Sequence, residues 1–116
     1  MRVLKDPDQV LQVMDARLDE LRKSRKRFTE ADGKEATEIS GQETAIIRIS
    51  AYIRHVSKYY GYFGVEDMVC VHKYADDAKE EANKPFHNPR VTWFVKGLAK
   101  GAAWACGSLE VRMDEP

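Results

Sequence analysis

Four groups of residues in this chain have the types and spacings from which chemistry could be built. His72, Asp76 and Glu80 recur one helical turn apart, which would set an imidazole and two carboxylates on one helix face as ligands for a divalent ion. No second His-containing helical motif accompanies them, so the pattern is read as a solvated face, with no metal, cofactor or catalytic residue assigned. Arg22, Lys23, Arg25, Lys26 and Arg27 form a basic run suited to phosphate or nucleic acid. On a helix such a run wraps round the surface, and Asp8, Asp15, Asp19 and Glu20 precede it. This is the order that the helix macrodipole favours.

The third group is aromatic. Tyr52, Tyr59 and Tyr62 lie among Arg54, His55 and Lys58, and tyrosine interleaved with cations can anchor a protein interface or stack on bases. These six residues are the candidate partner-binding set. The fourth group, Gly97, Gly101 and Ala105, repeats a small residue every four positions. That stripe lets a second backbone approach closely, either within the fold or across a homodimer, and it is taken as the candidate oligomer interface.

The elements that must position these groups are helices. Ile46, Ile49, Ile53, Val56, Tyr60 and Phe63 alternate three and four apart, predicting a spine helix from Ser40 to Phe63. Ser40 and Glu43 match a capping box at its start, and Gly61 and Gly64 mark its end. The polar stretch 34–39 reads as a connection. Before it, Asp6-Pro7-Asp8 opens a first helix whose stripe is Leu11, Met14, Leu18, Leu21 and Phe28, with Arg25 where an apolar residue is expected and Asp32-Gly33 as its close. Residues 74–82 form a third helix, and Asn88-Pro89 opens a fourth. Residues 65–73 and 90–96 suit either helix or strand, being rich in β-branched and aromatic residues.

The fold expected is therefore all-α, a compact bundle of about four helices forming one domain over residues 1–116. The alternative is α+β, with short strands near 68–72, 91–95 and 109–113. Hydrophobic residues make up 43% of the chain and charged residues 33%, enough for a core and a solvated surface. The 19 basic and 19 acidic residues cancel, so net charge does not steer the chain toward nucleic acid or membranes. Cys70 and Cys106 are too few and too far apart for a disulfide framework, and no apolar run reaches membrane-spanning length. A cytoplasmic location is expected.

The carboxylates Asp76, Asp77, Glu80 and Glu81 resemble the metal-binding helices of nucleotide pyrophosphohydrolases, but the second acidic helix of such a site is missing. No phosphate loop, nucleophile elbow or zinc-protease motif is present. The functional expectation is a non-enzymatic, oligomeric interaction protein, an inhibitor or adaptor of the size of phage accessory proteins, acting on a macromolecular partner. The alternative is nucleic-acid or nucleotide binding through the basic end of the first helix.

Overall fold

Local chemistry starts three of the helices. The Asp6 carboxylate accepts the Asp8 N–H at 2.9 Å ahead of Pro7, and Asn88 Oδ1 accepts the Arg90 N–H at 2.9 Å ahead of Pro89. At a third start the polarity is reversed, with Asp67 Oδ2 reaching back to the Gly64 N–H at 2.9 Å. The structure, a computed structural model, describes residues 2–4, 6–28 and 33–112. In chain order they form strand β1 (Arg2–Leu4), helices α1 (Pro7–Arg25), α2 (Gly33–Tyr60), α3 (Val65–Ala82) and α4 (Pro89–Leu109), and strand β2 (Glu110–Arg112). The protein is an all-α bundle with its two ends tied by a short antiparallel ribbon, Arg2 opposite Arg112 and Leu4 opposite Glu110. Of the strands considered in the alternative, 68–72 and 91–95 are helical, and the terminal segment is extended over 110–112.

The spine is longer than its stripe suggested. α2 begins at Gly33, so 34–39 is helix and Ser40 and Glu43 lie inside it rather than capping it. Gly33 opens α2 instead of closing α1, which ends at Arg25 and leaves Phe28 beyond it, while Asp32 lies outside the described residues. At the far end Gly61 takes φ +79°, the left-handed conformation that stops a helix, and its N–H donates to the Ser57 carbonyl at 3.0 Å.

The core is centred on α2. Ala45, Ile46, Ile49, Ile53 and Val56 are buried against Val10, Met14, Leu18 and Leu21 of α1 and Ala102, Ala105 and Leu109 of α4, with Met68 and Val71 of α3 completing the cluster. Successive helices run antiparallel, which makes α2 and α4 parallel, and these two come closest. A Cβ added to Gly41 would lie 2.2 Å from the Phe94 carbonyl oxygen, and one added to Gly97 would lie 2.0 Å from that of Glu38. Gly101 meets Gln42 and Ala45 one turn on. Gly97, Gly101 and Ala105 are thus buried inside the protomer. Their expected role as an oligomer interface is corrected: Gly41 and Ala45, at the same four-residue spacing on α2, occupy the face that a second copy would need.

That register also explains Tyr60, expected in the core and found 70% exposed. With Gly41 beside Gly97 and Ala45 beside Gly101, the last residue of α4, Leu109, comes level with Ile53. α2 then runs on for about two turns with no α4 beside it.

Candidate functional site

Around α2, one face remains open. Ile47, Ala51, His55, Lys58 and Tyr59 are exposed along it, and Tyr62 continues it past the helix end. Tyr59 is 68% exposed, Tyr60 70% and Tyr62 68%. At the start of α3, Val65 and Val69 are 73% and 62% exposed. His55 lies against the Tyr59 ring, centroids 4.6 Å apart, and Lys58 Nζ sits 6.0 Å from the centroid of the same ring. Scattered exposed apolar residues are ordinary, but three tyrosines and two valines within a dozen residues are a concentration.

Two of the six candidate partner-binding residues already have internal duties. Tyr52 is half-buried, packs edge-on against Phe63 at 6.2 Å, and donates from its hydroxyl to Asp67 Oδ1 at 3.2 Å. Its phenol is held well above the ordinary tyrosine range, first by its removal from water and then by the Cys70 thiol and Asp67 carboxylate beside it. Arg54 Nη2 reaches both carboxylate oxygens of Asp15 on α1, at 3.0 and 3.2 Å. His55, Lys58, Tyr59 and Tyr62 stay together on the open face. Ile47, Val65 and Val69 were not foreseen. The available signal was Ile47 falling beside, and not on, the buried stripe.

Along α2 the charge on this face has one sign, while Glu66 and Asp67 follow at the start of α3. From Thr44 to Val65 the chain contains Arg48, Arg54, His55 and Lys58 and no carboxylate. Beside the open face, a cleft of about 250 Å³ separates α2 from α3, lined by Arg48, Ile49, Tyr52, Cys70, Val71 and Tyr74.

The basic end of α1 is largely occupied by the fold. Arg25 Nε lies 2.9 Å from Glu43 Oε2, its Nη2 donates to Oε1 at 3.4 Å, and Arg22 Nε lies 3.9 Å from the same carboxylate. Glu43 is buried, and a buried carboxylate needs such partners. Arg25 therefore breaks the apolar stripe to meet the chain's own α2. Lys23 pairs with Asp19 at 3.1 Å; Lys26 and Arg27 remain exposed at the turn. His72 and Asp76 line a shallow recess between α3 and α4 together with Lys79. Among the described residues no group of three or more His, Cys, Asp or Glu converges as a metal site. Nor is any helix among them long and apolar enough to cross a membrane.

The chain matches no protein-family model, no curated protein and no solved structure.

Proposed function

We propose that the protein is an interaction module that binds a protein partner through the open face of α2 and the start of α3, acting as an inhibitor or adaptor by occupying that partner's surface. The observation that carries the reading is the exposure of Tyr59 and Tyr62, at 68% each, on one face beside Val65 and Val69. Tyrosine is enriched among the residues that dominate interface energetics, and neither ring is needed by the core. Self-association through this face would set Arg48, Arg54 and Lys58 against their own copies, so a different partner fits better than a second copy.

The test is affinity capture from the native cell, with and without nuclease, using the wild type and a Tyr59→Ala/Tyr62→Ala variant. Capture that survives nuclease and is lost in the variant is the expected result. Capture abolished by nuclease and unaffected by the variant would move the site to the basic end of α1, and binding would then fall steeply with salt.

A further inference from the structure

We infer that the cleft between α2 and α3 receives one bulky apolar side chain from a carboxylate-bearing segment of the protein partner. The inference rests on the open face of α2 being partner-binding, and it adds the pocket and the chemistry of what enters it.

The cleft follows from the packing. The seam of Gly41, Gly97 and Gly101 brings α4 onto α2, and α3 packs on α4, where the Cys106 thiol meets the Val71 carbonyl at 3.8 Å. α3 is left standing off from α2. Two side-chain hydrogen bonds span the gap: Tyr52 to Asp67 at 3.2 Å, and Arg48 Nη1 to the Tyr74 hydroxyl at 3.4 Å. Between these props the floor is apolar, made by Ile49 and Val71, both buried. Its 250 Å³ is below the ~300–1,000 Å³ of small-molecule sites. The space suits one aromatic or branched aliphatic side chain, the kind of anchor that fills a pocket at the centre of an interface.

The rim sets the charge of the segment. On the α2 side it is Arg48, with Arg54, His55 and Lys58 along the same helix and no carboxylate from Thr44 to Val65. On the α3 side Glu66, Asp67, Asp76 and Asp77 stand against Lys73 alone, so that helix is net acidic over the stretch facing the cleft and beyond. Asp67 is already engaged by Tyr52 and the Gly64 N–H. A partner's carboxylates therefore belong over α2. The Arg54–Asp15 pair is half-exposed on both sides, and an exposed pair of this kind is worth only ~0–1 kcal/mol, so Arg54 can exchange Asp15 for an incoming carboxylate. A nucleic-acid strand fits less well, because the apolar floor of Ile49 and Val71 would face a base edge that needs hydrogen bonds.

Cys70 gives a direct test, since its thiol is exposed and lines the cleft while Cys106 is buried. The probes are three synthetic peptides: a glutamate-rich one with a single central Trp, the same with Trp replaced by Ala, and the same with every Glu replaced by Lys. Amide NMR titration should show saturable shifts at Ile49, Cys70, Val71 and Tyr74 with the first peptide. Binding at least tenfold weaker is expected for each of the other two. Alkylating Cys70 with N-ethylmaleimide should weaken the first peptide at least tenfold, and Cys70→Ser should bind it normally before and after the reagent. Shifts confined to residues 58–62 would overturn the pocket while leaving the open face of α2 as a binding surface. Equal binding of the lysine peptide would overturn the acidic segment. No shift with any peptide would overturn the inference outright, and the capture experiment would still decide the open face independently.

Discussion

The two contacts that α2 makes beyond α1 are opposites. Toward α4 it presents Gly41 and Ala45, and the backbones come so near that a single methyl group would collide with a carbonyl oxygen. Toward α3 it presents Arg48 and Tyr52, and the helices stay apart with a cleft between them. In the first contact the surfaces are used up by folding, and little of either helix remains for a partner. In the second, long polar side chains hold the gap open, so its floor stays reachable. Small residues close an interface within the protomer, and large amphipathic ones leave a face unfinished.

The hardest way to break this contrast is to prop open the closed side. Gly97→Ala places its Cβ against the Glu38 backbone, which cannot swing away as a side chain could. A loss of about 3 kcal/mol is expected by urea denaturation, at the upper end of ordinary overpacking costs. Gly107→Ala is the control, because nothing lies within 4 Å of its Cβ, and it should stabilise the helix by about 0.5–1 kcal/mol. Next in size is the α1 contact. Arg25→Ala removes the 2.9 Å partner of the buried Glu43 carboxylate and should cost about 2 kcal/mol, whereas Arg22→Ala, at 3.9 Å, should cost under about 0.5 kcal/mol. A double-mutant cycle with Glu43→Gln would show the coupling to Arg25.

On the open side the expected stability effects are small. Tyr59→Ala and Tyr62→Ala should each change unfolding free energy by no more than about 0.5 kcal/mol while lowering partner capture, and a large loss of stability would mean that these rings serve the fold. Tyr52 sharpens the boundary between the two behaviours. Its phenol holds its proton more tightly in the folded chain, so above the ordinary tyrosine range near pH 10 the native state binds more protons than the unfolded one. The support this gives to folding is fully present below that range and is lost progressively as pH rises from it toward the raised folded value. Urea midpoints between pH 9 and 11 should fall less steeply in Tyr52→Phe than in the wild type.

Much of this was legible in the chain, and the failures share a cause. Ile46, Ile49, Ile53 and Val56 are buried as their spacing predicts, because periodicity is a local property that any helix must honour; Phe63 is buried too, but beyond the end of α2. The caps at Asp6 and Asn88 are likewise local. Glu43 looked like part of a capping box, but its partner is Arg25, 18 residues away. The odd cation in the apolar stripe and the odd carboxylate three residues after Ser40 are two halves of one ion pair, and neither half names the other. Tyr60 keeps the period and still lies outside the core, since the register between α2 and α4 decides where the core ends. Val69 and Val91 raised the strand alternative, yet both are exposed on helices, where β propensity carries little weight. The four clustered tyrosines were visible at once. Which of them the fold would use was not, because Asp67 claims Tyr52 through a tertiary contact.

The ribbon joining Arg2–Leu4 to Glu110–Arg112 makes the path of the chain close to a ring. Its order along the sequence then becomes separable from its order in space. A short Gly-Ser linker across the paired strands, with new ends cut in the exposed turn between Asn83 and Asn88, would leave the α2–α4 seam and the α2–α3 cleft each within an uncut segment or between segments that still meet. Such a circular permutant would turn the link between α3 and α4 from a covalent tether into a purely packed contact. It would ask whether the gap beside α2 is held by the loop or by the side chains that span it.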